Sequence, residues 1–330
     1  MNVAKLIFFT MVTAGLPCSY SRATASVAPT HENARVVASW HGDVTIEPSL
    51  RMHAEGIPWD YELQIALPPS YFKKKQNYPV LWVTDGSYQF DTAVTVVNLV
   101  ESKHLPEMII VAVGVPPNAS KEWRKRRLYD FTPENLGYQF EGYGSELANR
   151  ELKETDDRYL AAGMQIATKF GGAPAFLKFL IETARPALAR KYRMANDNTL
   201  FGHSGGGTFC VYALLARPDG FSRYICGSPA LAWGNYGLFK MEQEYSRMHK
   251  DLPAEVFFGA GDEEITDKDQ AYATVSSMTR MAEILTARHY PSLKLYAHIF
   301  PGEDHESVMA LNLGWGLRTL WESEVNRPFQ

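Results

Sequence analysis

Two unbroken apolar runs constrain this chain more than any other feature. Residues 79–84 (PVLWVT) and 108–113 (MIIVAV) lack a polar face, the mark of strands buried on both sides. A helical stretch at 91–103 lies between them. The pattern repeats downstream, with strand candidates at 199–201, 223–226, 255–258 and 293–300 (LKLYAHIF). Helical patterns fill the gaps at 174–193 (interrupted at Pro186), 206–216, 271–289 and 308–324. Strands that alternate with helices form right-handed crossovers and a mainly parallel sheet with helices on both faces. Residues 36–48 and 61–67 (YELQIAL) alternate with period two instead, as a half-exposed antiparallel pair does. Residues 116–168 have no clear period and read as a long excursion over the sheet; loops of that length are usually functional.

The chain has 330 residues, of which 45% are hydrophobic and 12% aromatic. That composition fills a large core and excludes a disordered chain. A formal charge of −4 offers no basic footprint for nucleic acid. The N-terminus adds an address. One early lysine, the apolar run 6–16 (LIFFTMVTAGL) and Ala23-Thr24-Ala25 predict a signal peptide over residues 1–25, cleaved near Ala25. An eleven-residue run is too short to span a bilayer, which takes about 20, and no later stretch is apolar enough. The expectation is an exported protein of one domain, residues 26–330, with an excursion at about 116–170 and no membrane span in the mature chain.

The chemistry concentrates at Gly202-His203-Ser204-Gly205-Gly206-Gly207. This G-x-S-x-G stands between a strand pattern and a helix pattern, where small residues at −2 and +2 let backbone pass close to a serine held on a strained turn. The serine hydroxyl then lies near the positive end of the following helix. No Lys-Ser/Thr follows the glycines, so this is not a phosphate loop. A serine nucleophile needs a base and an orienting acid, in the chain order Ser, acid, His. Acidic residues follow the 255–258 strand in Gly259-Ala260-Gly261-Asp262-Glu263-Glu264, and one histidine follows the last strand in Pro301-Gly302-Glu303-Asp304-His305. The predicted catalytic set is Ser204, His305 and Asp262, with Glu264 as the main rival for the acid and Glu263 beside it. The predicted oxyanion donors are the backbone N–H groups of Gly205 and Ser87, the latter in the Asp85-Gly86-Ser87 loop. No metal motif and no cofactor motif occurs. Cys210 and Cys226 are either a disulfide or buried free thiols.

Together these residues resemble the esterase family of α/β-hydrolases that includes the siderophore esterases. The matching elements run from Leu67-Pro68 through Asp85-Gly86, Arg127-Leu128-Tyr129-Asp130-Phe131-Thr132-Pro133, Gly202-His203-Ser204-Gly205-Gly206 and Ser228-Pro229 with Trp233, to Gly302-Glu303-Asp304-His305-Glu306-Ser307. The resemblance implies an α/β-hydrolase fold and cofactor-free ester hydrolysis through an acyl-enzyme, on a small-molecule ester such as a catecholate lactone. It also places Arg127 near substrate, and the family's acid is often the Glu of a G-x-x-E stretch. Arg127 as an ion pair with Asp130, and Trp233 as a pocket wall or a core residue, are both open. So is a substrate wall of Tyr138, Phe140 and Tyr143. An acyltransferase would use the same three side chains, and a non-catalytic binding protein could keep the fold.

Overall fold

The computed structural model describes residues 34–38, 42–133, 145–265 and 273–325. The signal-peptide expectation at 1–25 and the aromatic wall of Tyr138, Phe140 and Tyr143 lie outside the described residues. Residues 33–330 cluster as one unit.

Ten strands form one sheet among the described residues. They are β1 (Arg35–Val37), β2 (Val44–Ile46), β3 (Leu50–His53), β4 (Asp60–Leu67), β5 (Tyr78–Val83), β6 (Ile109–Gly114), β7 (Met194–His203), β8 (Arg223–Gly227), β9 (Glu255–Gly261) and β10 (Lys294–Phe300). The order across the sheet is β1-β2-β4-β6-β5-β7-β8-β9-β10, with β3 paired to β4. From β6 to β10 every pairing is parallel. The four N-terminal strands pair antiparallel, as the period-two pattern predicts.

Alternation along the strands divides the core in two. Val80 and Trp82 of β5 face one side, with Leu200, Tyr224 and Phe258. Leu81 and Val83 face the other, with Phe201, Ile225 and Phe257. The first side is covered by a helical run at Ala173–Ala189, α6 (Gly205–Ala216), α7 (Trp233–Met248) and α8 (Thr274–Ala287). The second is covered by α1 (Gly86–His104) and α9 (Val308–Val325), through Phe90, Val94, Leu313, Leu317 and Leu320. Because both faces are covered, β6 is buried at every residue. Strand β10 lies at the edge and is mostly exposed, despite its apolar run. The observed architecture is thus the mainly parallel sheet with helices on both faces that the sequence predicts.

Two segments differ from expectation. The run at Ala173–Ala189 does not break at Pro186. It is built from α4 (Ala173–Lys178), a π turn (Phe179–Ala184) and α5 (Arg185–Ala189). A π turn widens the helix where the proline ring would otherwise strike the preceding turn. Among its described residues the excursion is largely helical, with a 3₁₀ turn (Pro117–Glu122), α2 (Trp123–Phe131) and α3 (Ser145–Ala161). Helix α2 buries Arg124, Arg126 and Asp130 beside Leu128 and Phe131, so charges stand where an apolar stripe would have signalled a helix. Arg124 is neutralised by Asp156 at 2.7 Å, and Arg126 by Glu122 at 3.1 Å.

Candidate active site

Ser204 stands between β7 and α6 with φ 60° and ψ −124°. A non-glycine residue there costs on the order of 1–3 kcal/mol and persists only where its surroundings impose it. The constraint is visible: Ser204 N donates to Gly227 O, and Thr208 N donates to Ser204 O, both at 2.9 Å. The glycines are required by space. A Cβ on Gly202 would lie 2.0 Å from Gly206 O, and one on Gly207 would lie 2.3 Å from Gly227 O. The turn thus lets β7, α6 and β8 meet backbone to backbone, and it sets the serine at the start of a 12-residue helix, whose dipole favours negative charge there.

His305 follows β10. Its Nδ1 lies 2.7 Å from Oε2 of Glu264. The Glu264 side chain is fully buried, and its other oxygen accepts from Ser228 Oγ at 2.7 Å and from Gly261 N at 2.8 Å. Three donors on one buried carboxylate repay its loss of water. Because a carboxylate accepts, Nδ1 of His305 carries the proton and Nε2 is left as a base. Ser228 is itself held by Asn312 Nδ2 at 3.4 Å.

Asp262 is not the partner of His305, contrary to the sequence expectation. Its Oδ1 accepts from Gly302 N at 2.7 Å and so ties down the loop that carries the histidine. The reason is the short 3₁₀ helix Asp262–Ile265, which turns Glu264 inward and leaves Glu263 exposed. The signal was present: counting G-x-x-E from Gly261 instead of from Gly259 lands on Glu264.

Gly205 and Ser87 begin α6 and α1, where the first N–H groups have no partner within the helix. Their loops are neighbours, since Val83 of β5 pairs with Phe201 of β7 and Thr84 N donates to Phe201 O at 3.0 Å. The Ser87 hydroxyl accepts from Val115 N at 3.0 Å, pinning the start of α1 to the end of β6.

Arg127 forms an ion pair, but not with the partner expected from the sequence. It pairs with Asp85 and not with Asp130: its Nε lies 3.0 and 2.8 Å from the two Asp85 oxygens, and its Nη2 donates to His203 O at 3.2 Å. Both side chains are nearly buried. Burial pushes the Asp85 carboxyl up, against the pull of Arg127. Asp130 instead accepts from Tyr61 Oη at 2.7 Å, and burial raises it well above the usual carboxylate range. A small cavity of about 20 Å³ lies between these pairs, lined by Tyr61, Asp85, Trp123, Arg127 and Asp130. Trp233 packs with Ala148 and Leu152 of α3 in a satellite core, so it supports the excursion helix. Among the described residues no group of three or more His, Cys, Asp or Glu is placed to hold a metal ion, and no helix is long and apolar enough to cross a membrane.

Comparisons with known proteins identify the family and the fold. The family described as Putative esterase matches residues 54–155 and 143–313. Ferri-bacillibactin esterase BesA of Bacillus subtilis is 26% identical over 255 residues, 76% of this chain and 81% of that one. The siderophore triacetylfusarinine C esterase of Aspergillus fumigatus is 25% identical over 291 residues, 79% of this chain and 89% of that one. Among solved structures, an IroE-like serine hydrolase from Shewanella oneidensis superposes with a TM-score of 0.67 at 22% identity, over 83% of this chain and 80% of that one. Siderophore hydrolase EstB of Aspergillus nidulans gives 0.66 at 23% identity, over 84% and 95%. The chain therefore belongs to the Putative esterase family, has the α/β-hydrolase fold, and is a carboxylic ester hydrolase.

Proposed function

We propose that this protein is an exported serine esterase that works through an acyl-enzyme on Ser204, with His305 as base and Glu264 as orienting acid. The observation that carries this is the 2.7 Å bond from His305 Nδ1 to the buried Glu264 carboxylate, set beside a strained serine turn. His305 Nε2 takes the Ser204 proton as Oγ attacks the ester carbonyl. The oxyanion that forms accepts N–H groups from Gly205 and Ser87. Nε2–H then protonates the leaving alkoxide, and the acyl group stays on Ser204. Water, deprotonated by His305, attacks the acyl carbonyl and releases the acid. Glu264 stays ionised throughout and stabilises the imidazolium.

Siderophore-type esters are the proposed substrates. The named relatives support this, since they act on bacillibactin and on triacetylfusarinine C. Arg127 is engaged by Asp85 through Nε, and its guanidinium also stands beside Gly205 at the nucleophile turn. Export is supported by the disulfide between Cys210 and Cys226, a bond that persists in oxidising compartments. Hydrolysis of aryl esters of rising acyl length and of a catecholate trilactone tests the substrate. Turnover of the trilactone is expected, and turnover of short acyl esters alone would remove the siderophore assignment. N-terminal sequencing of the mature protein is expected to begin near Ser26.

A further inference from the structure

We infer, resting on the serine esterase assignment above, that His203 is a positioning residue that ties the base loop to the nucleophile turn. His203 fills the variable position of G-x-S-x-G and is 5% exposed. The reaction described above makes no use of its ring. Its Nε2 lies 2.8 Å from the carbonyl oxygen of His305. A carbonyl only accepts, so Nε2 carries the proton and donates. Burial, and then the neighbouring His305, hold the His203 imidazole well below its usual range, so the ring is neutral and has this one donor. Among the described residues, its Nδ1 is buried without a hydrogen-bond partner. A side chain chosen only to fill space would avoid that orphaned nitrogen. The two imidazoles are also in contact, with ring centroids 4.8 Å apart.

The tie spans a distance the sheet creates. Strand β10 lies three places from β7 in the sheet order, so the loop that follows it must reach across β8 and β9 to bring His305 to Ser204. It is held to the 3₁₀ turn after β9 through Glu263 N on Glu303 O at 3.2 Å and Gly302 N on Asp262. On the nucleophile side, His203 Nε2–H donates to His305 O and holds it there. His203 is itself held from behind, because its carbonyl accepts from Arg127, whose Nε grips Asp85. Asp85 opens the oxyanion loop with φ 53°. A continuous chain, Asp85–Arg127–His203–His305, therefore joins the loops after β5, β7 and β10, and His203 is the link next to the serine.

Two substitutions separate tying from filling. His203→Gln keeps a donor close to the Nε2 position, whereas His203→Phe keeps the ring volume and loses the donor; His203→Leu replaces the latter if it does not fold. With p-nitrophenyl butyrate, H203F is expected to lower kcat at least tenfold with KM within twofold, while H203Q stays within threefold of the wild type. The downfield proton resonance of the His305 Nδ1–H bonded to Glu264 should broaden or vanish in H203F and persist in H203Q. Wild-type kcat and an unchanged resonance in H203F, or equal losses in H203F and H203Q, would overturn the inference. If the wild-type enzyme neither hydrolyses the ester nor reacts with a fluorophosphonate, the esterase assignment fails. The resonance comparison then still decides the tie.

Discussion

At the scale of single residues, the choice between two carboxylates two positions apart decides the chemistry. Glu264 bonds His305 and is fully buried, while Asp262 bonds a loop amide. Glu264→Gln should lower kcat by two or more orders of magnitude, because an amide fails to hold the imidazole in the right tautomer. Asp262→Asn should stay within about twofold, and steady-state kinetics on one ester compares the two directly. Ser228→Ala removes one donor from the Glu264 carboxylate and should cost about tenfold in kcat, in line with a hydrogen bond to a charged group. The placement of Ser204 on the turn after β7 and of His305 in the loop after β10 was legible in the sequence, because strand, turn and order carry it. The partner of His305 was legible only through the G-x-x-E spacing from Gly261; three consecutive acidic residues otherwise look alike until a 3₁₀ turn selects the one that faces inward. Arg127 was opaque: its partner lies 42 residues away on a different element, and no local spacing announces such a pair.

At the scale of elements, the parallel strands were legible because burial on both faces leaves an unbroken apolar run. The edge strand β10 was found as well, though its exposure was not foreseen. Helices α2 and α3 were hidden. The first buries arginines through ion pairs in place of an apolar stripe, and the second packs only a short satellite core. The four-residue β3 and α7, which opens with left-handed residues at Gly234, Asn235 and Tyr236, also escape a periodicity search. The Cys210–Cys226 disulfide joins the nucleophile helix α6 to β8 across 16 residues. Closing a loop of that length in the unfolded chain is worth about 3 kcal/mol. Urea unfolding of Cys210→Ser against the wild type should show a loss of that order. Because both cysteines are fully buried, a mild reductant should leave the folded enzyme's activity unchanged.

At the scale of the whole molecule, the candidate active site lies where the loops after β5, β7, β9 and β10 converge at the C-terminal ends of the parallel strands, and its buried ionisable groups enter the stability of the fold. His203 is neutral when folded and binds a proton when unfolded below its ordinary value of about 6.5. Its contribution is therefore full above that pH and is lost as the pH falls through it. The stability advantage of wild type over His203→Gln should shrink by about 1.4 kcal/mol per pH unit below roughly pH 6. Urea melts between pH 5 and 8 measure this, and parallel curves for the two proteins would contradict it. The central claim, that Ser204 is the nucleophile of an ester hydrolase, is tested most directly by fluorophosphonate labelling followed by peptide mass spectrometry. One phosphonyl adduct is expected, on Ser204, formed together with loss of ester hydrolysis and absent from Ser204→Ala. An adduct on another residue, or equal labelling of the Ser204→Ala protein, would contradict it.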